Sequence, residues 1–228
     1  MQRKNPFLEG EIYHIFNRGV EKRDIFNNTK DYERFIENLI NFNNEEPAQN
    51  KYYRDKQSND QNSYEVGPRK NSDKKLVEII AYCLLPNHYH LLIKETREGG
   101  ITEFMRKMGT GYTMYFNKKN ERVGPLFQGK FKSTLIENEP QFFYIPQYIH
   151  LNALDLISLE TITESETQEL VDFVENYRWS SVHFFTKEKH DDVISPLLIK
   201  ELYGPKDDRT DALRELIRSE DFLRGRTS

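Results

Sequence analysis

The chain has 228 residues and a mass of 27.2 kDa, with 36% hydrophobic residues, 31% charged residues and a mean hydropathy of -0.81. That is enough to bury a core, while no stretch approaches the roughly 18 consecutive apolar residues of a membrane span. A single cysteine, Cys83, excludes an internal disulfide and a four-cysteine zinc site. The opening MQRKNPFLEG is basic but has no apolar run behind it, so no signal peptide is expected. A soluble protein of a reducing, cytoplasmic compartment follows, with no membrane partner. The net charge of -4 conceals an asymmetry: Arg97–Ser133 carries a net +5, and Leu154–Ser228 a net -7. A basic middle can meet phosphates within an acidic chain.

In chain order, Glu11–Asn17 is rich in strand formers and ends at the Arg18-Gly19 turn signal. Asp31–Phe42 places Tyr32, Phe35, Ile36, Leu39 and Ile40 at helical spacing, with Thr29 as the expected cap. Residues 43–75 are crowded with Asn, Gln, Asp, Lys and Ser and read as a mobile surface insertion, so Tyr52, Tyr53 and Tyr64 lack the support a catalytic group needs. Leu76–Leu84 reads as a buried strand, Pro86-Asn87 as a turn, and His88–Glu95 as the antiparallel partner strand. Ile101–Asn120 is a second amphipathic helix. Gly109 and Gly111 within it suggest close backbone approach. Lys130–Ile136 is a fourth strand.

Strand, helix, strand, strand, helix, strand is the split βαβ, ferredoxin-like order. The expected fold class is therefore α+β: a ferredoxin-like βαββαβ antiparallel sheet with both helices on one face, plus a C-terminal helical extension. The other face is left for a ligand or a further element. A helix is expected over Gln141–Leu156, with Pro146 kinking it or marking its first turn. Residues 1–157 form the main domain and 158–228 a helical extension packing on it.

Three features carry chemistry. His88 and His90 stand two apart on a strand, so both imidazoles point to one face and Tyr89 to the other. Such a pair can hold one divalent ion, although most such pairs are surface or structural histidines. Tyr148 and Asn152, at i and i+4, share a helix face. Asn offers a carbonyl oxygen to a hard cation, and Tyr a phenol that becomes a nucleophile when ionised. The rival reading of Tyr148 is core packing. Finally, Pro125–Ser133 alternates basic and aromatic residues, which suits a phosphate backbone with stacked bases but also fits an ordinary amphipathic strand. Arg106, Lys107, Lys118, Lys119, Arg122, Lys130 and Lys132 are candidate backbone contacts, and Phe127 and Phe131 candidate stacking platforms.

Five motifs stand in order: YHIFNRG at Tyr13–Gly19, CLLPNHYHLLIK at Cys83–Lys94, GPLFQGKFKS at Gly124–Ser133, YIHLN at Tyr148–Asn152 and YRWSS at Tyr177–Ser181. Together they resemble the single-tyrosine transposases of the His-hydrophobic-His superfamily, and most nearly the REP-associated tyrosine transposases of bacteria. The resemblance implies metal ligation by His88, His90 and Asn152, a nucleophilic Tyr148, and DNA contacts that include Arg18 and Gln128. It implies Mg²⁺ or Mn²⁺ as cofactor and single-stranded, hairpin-containing DNA as partner. Cleavage and strand transfer would run through a covalent 5′-phosphotyrosine, in a monomer or homodimer associated with the nucleoid when DNA-bound. A non-catalytic nucleic-acid-binding module on the same fold is the alternative; it binds without forming an adduct.

Overall fold

The computed structural model describes residues 6–46, 75–157 and 164–219. Most of the predicted insertion, with its three tyrosines, lies outside the described residues. Its first residue is no loose tether, however. Asn43 is buried, its amide donates to the Val77 carbonyl, and its oxygen accepts from the Leu76 and Val77 N–H groups.

Strands β1 (Ile12–Arg18), β2 (Val77–Leu85), β3 (His88–Glu95) and β4 (Lys132–Leu135) form one sheet in the order β2-β3-β1-β4, every pairing antiparallel. This is the ferredoxin-like arrangement expected from the element order. β4 is shorter than the predicted Lys130–Ile136, because Gly129 at φ 145° turns the chain just ahead of it.

Helices α1 (Thr29–Asn41) and α2 (Gly100–Lys119) cover one face. There Phe35 meets both Tyr89 and Tyr112 at ring-centroid distances of 5.0 Å. The cap of α1 is Asn28 rather than Thr29: the Asn28 side chain accepts from the Asp31 N–H at 3.3 Å, and Thr29 is the first helical residue. Asp31 is itself fully buried and accepts from the Asn27 N–H, the Tyr115 hydroxyl and the Lys119 ammonium, tying the start of α1 to the end of α2. Of the two mid-helix glycines, only Gly111 makes a close approach. A Cβ there would stand 2.5 Å from the Phe42 ring, whereas Gly109 faces open space.

Helix α3 (Glu139–Leu151) crosses the opposite face over β2 and β3. Asn138 caps it by accepting from the Gln141 N–H at 3.0 Å. Pro146 sits inside α3 and is buried. The helix stops before the predicted Leu156, because the Asn152 amide turns back onto the Tyr148 and Ile149 carbonyls; a 3-10 turn, Asn152–Leu156, follows.

The C-terminal part carries α4 (Glu164–Asn176), α5 (Val182–Lys187), α6 (Pro196–Tyr203) and α7 (Lys206–Arg218). Residues of α4 and α7 join Leu151 and Leu154 in a second apolar cluster, which grips the end of α3. Trp179–Ser181 runs along the outer edge of β2. The Leu84 N–H donates to the Trp179 carbonyl, and the Ser181 N–H to the Tyr82 carbonyl. That edge would otherwise present unpaired backbone groups. Trp179 stacks on Tyr32 at 4.5 Å.

One buried polar knot joins these parts. Ser181 Oγ accepts from the Tyr82 N–H at 2.9 Å and lies 3.0 Å from His150 Nε2. Burial, then the nearby His183, lowers the His150 pKa to about 3, so this imidazole is neutral in the fold. Ser181→Ala strands two buried polar groups and is expected to cost about 1–3 kcal/mol, read as a lower chemical-denaturation midpoint. His150 titrates near 6.5 in the unfolded chain, and its folded pKa is depressed. Its contribution to stability is therefore complete above about pH 6.5 and is lost progressively as the pH falls toward 3. Unfolding curves measured across that range in His150→Phe should have a shallower pH dependence than wild type.

Candidate active site

Antiparallel register decides what meets on the α3 face. Phe16 pairs with His90, Arg18 with His88 and His14 with Leu92 across β1 and β3, while Lys132 of β4 pairs with Phe16. Paired residues share a face, so His14, Phe16, Arg18, His88, His90 and Lys132 line the side opposite α1 and α2. Tyr89, pointing the other way, is buried against Phe35.

The imidazole centroids of His88 and His90 are 5.1 Å apart, nearly perpendicular. His90 also stacks with His14, again at 5.1 Å, and with Phe16 at 5.7 Å. Above them, α3 delivers Tyr148 edge-on: its ring centroid is 6.3 Å from that of His90 and 6.1 Å from that of His14. The structure thus brings together Tyr148, His88 and His90, which are far apart in the sequence. Asn152 is buried one turn later, with its amide nitrogen committed to the end of α3.

Two residues that the sequence reading did not assign complete the group. His14 Nε2 lies 2.8 Å from His90 Nδ1, and Asn87 Oδ1 lies 2.6 Å from His88 Nδ1. Asn87 was legible as a neighbour of the pair. His14 stood inside the YHIFNRG motif, but only the β1–β3 register reveals that it faces His90. Burial lowers the pKa of His14 to about 4. His88 is lowered to about 4 as well, by burial first and then by the Arg18 charge, with Asp155 opposing. Both are neutral at physiological pH, the form that binds a metal.

Among the described residues, no three His, Cys, Asp or Glu side chains form a metal-binding group. The site offers the neutral imidazole of His88 with the His90 ring beside it and the Tyr148 ring close by. This fits a cation that accepts nitrogen ligands and takes its remaining positions from phosphate and water oxygens.

The predicted DNA contacts divide between the two faces. Arg18 and Lys132 share the imidazole face, and Lys132 Nζ stands 5.8 Å over the Phe16 ring. Gln128 and Lys130 are exposed on the loop before β4. Arg106, Lys118 and Lys119 are on α2, across the sheet, and Lys119 is engaged with Asp31. Arg122, just after α2, hydrogen-bonds Asn117. Two expectations are corrected. Lys107 is only 1% exposed; it pairs with Glu103 at 2.8 Å and donates to the Asn44 carbonyl, so it is a core ion pair and not a phosphate contact. Phe127 is buried edge-on against Tyr89 and cannot present its face to a base.

Residues 50–152 match the family described as transposase, IS200-like. The matched stretch includes both histidines of the pair, Tyr148 and Asn152. A solved structure of a REP-associated tyrosine transposase bound to a REP hairpin aligns with 86% of this chain and 91% of its own, at 14% identity and a TM-score of 0.48. No curated protein matches the chain. No helix among the described residues is long and apolar enough to cross a membrane.

Lys107→Met should destabilise the fold by on the order of 1–3 kcal/mol, read as a lower thermal midpoint, because it leaves the Asn44 carbonyl and a Glu103 oxygen without their donor. An unchanged midpoint would contradict the buried pairing.

Proposed function

We propose that the chain cuts and rejoins single-stranded DNA through a covalent 5′-phosphotyrosine at Tyr148. One observation carries the reading: the Tyr148 ring sits edge-on to His90, at 6.3 Å, on the face that His88 and His90 share. The family match over the same residues supports it. All three rings come from one chain.

In this reading a single strand crosses the imidazole face near Arg18, Phe16 and Lys132. Arg18 and Lys132 attract its phosphates, and Phe16 offers a half-buried ring. The Tyr148 phenol gives up its proton, its oxygen bonds to phosphorus, and the P–O3′ bond breaks. The departing 3′ oxygen takes up a proton, and the phosphorus stays on the 5′ side of the break, now esterified to the protein. One phosphodiester replaces another, so a 3′-OH from a second strand can reverse the step without a nucleoside triphosphate. His88 and His90, with Asn152 as third ligand, would hold Mg²⁺ or Mn²⁺, which neutralises charge on the scissile phosphate when bound. The neutral state of His88 keeps that ligand available down to about pH 5.

The test is a hairpin-bearing single-stranded oligonucleotide with Mn²⁺, scored for a protein–DNA adduct that survives denaturing electrophoresis. Tyr148→Phe should abolish the adduct, and His88→Ala should remove metal-dependent cleavage while leaving most salt-dependent binding. Persistence of the adduct in Tyr148→Phe would sink the assignment, with Tyr144, stacked on Tyr148 at 5.9 Å, the next phenol to examine. Binding by the wild type with no adduct would instead favour the non-catalytic module. Separately, Lys132→Ala should weaken oligonucleotide binding and reduce the slope of log affinity against log salt by about 0.7; an unaltered slope would remove Lys132 from the interface.

A further inference from the structure

A histidine ligates a metal through whichever ring nitrogen carries no proton, and the hydrogen bond at the other nitrogen selects it. For His88 the selection can be read directly. Asn87 directs its Nδ2 to the Lys22 carbonyl at 3.3 Å, which fixes the amide so that Oδ1 faces His88. An amide oxygen only accepts. His88 Nδ1 must therefore donate, and in the neutral ring Nε2 keeps its lone pair.

At His90 the partner is another imidazole, and the 2.8 Å contact from His14 Nε2 to His90 Nδ1 allows two polarities. If His14 donates, the proton of His90 stands on Nε2 and that nitrogen cannot ligate. If His90 donates, its Nε2 matches that of His88. We infer that His14 and Asn87 are positioning residues, each accepting the Nδ1–H of one histidine of the pair, so that the lone pair of each ring stands on Nε2, the form in which it can ligate a shared cation. His14 is 7% exposed and lies in the sheet itself, one strand away from His90, so this acceptor is placed by the fold rather than by a loop. Its own N–H then stands on Nδ1. The inference rests on the metal role given above to His88 and His90.

The experiment uses the full chain and Mn²⁺ alone, in three arms. Two-bond ¹⁵N–¹H spectra of the metal-free protein report the tautomers: His88 and His90 should both carry the proton on Nδ1. Titration calorimetry then compares Mn²⁺ affinity. His14→Phe keeps a ring but loses the acceptor and should weaken binding about 10–100-fold. His14→Gln, whose Oε1 reaches about as far as imidazole Nε2, should restore it to within a few-fold. Asn87→Ala should weaken binding and Asn87→Asp restore it. Thermal midpoints are read alongside, because a merely structural role would move stability without the tautomer signature or the recovery with Gln and Asp. His90 protonated on Nε2, or His14→Phe binding Mn²⁺ as tightly as wild type, would overturn the inference while leaving the metal reading intact. A wild-type protein that does not bind Mn²⁺ would overturn the metal reading, and this inference with it.

Discussion

The pairing of Phe16 with His90 across β1 and β3 sets the register of the whole α3 face. Side chains alternate along a strand, so a slip of one residue would turn His14 toward the α1–α2 layer and bring Tyr13 and Ile15 out of it. The apolar residues that hold the register are on the other side of the sheet. Ile15, Tyr89, Leu91 and Ile93 are buried there, between 0% and 2% exposed. Packing on one face therefore fixes which side chains meet on the other.

The position of Tyr148 depends on a different set of contacts. Its helix has no strand to align it, and Pro146 removes a backbone donor from the helix interior. α3 is held by the sheet beneath it, where Ile149 joins the main core, and by the C-terminal part of the chain. Leu151 and Leu154 are buried against α4 and α7, and His150, two residues from Tyr148, meets Ser181 where Trp179–Ser181 seals the β2 edge. The phenol ring is left half-buried at the margin of the imidazole group, while the next residue, Ile149, is fully enclosed. The C-terminal part thus orders the helix that carries Tyr148.

Charge is partitioned by the sheet. The basic middle of the sequence divides into a core ion pair at Lys107, an anchoring contact from Lys119 to Asp31, and cations on both faces. Arg18 and Lys132 share the face of the imidazoles. Arg18 also acts on His88 through its field, adding to burial in keeping that ring neutral. The Arg18 charge, which would attract an anion, thus also favours the neutral form of the neighbouring imidazole.

Sequence alone determined what local periodicity encodes. Alternation along His88–Glu95 gave the strand to the residue, helical spacing gave α1 and α2 within two residues, and the order of elements gave the sheet and its helix layer. The two-residue spacing of His88 and His90 fixed their common face before any coordinates, because that depends only on the pleat. Where α3 ends was less legible, since Asn152 closes it through a side-chain bond to the backbone. Tertiary structure decided the rest: that His14 is the partner of His90, that Lys107 and Phe127 are buried, and that Tyr148 stands over the imidazoles. Each of these depends on strand register or on contacts between segments distant in the chain, and a linear pattern carries no record of which distant residue will lie across from which.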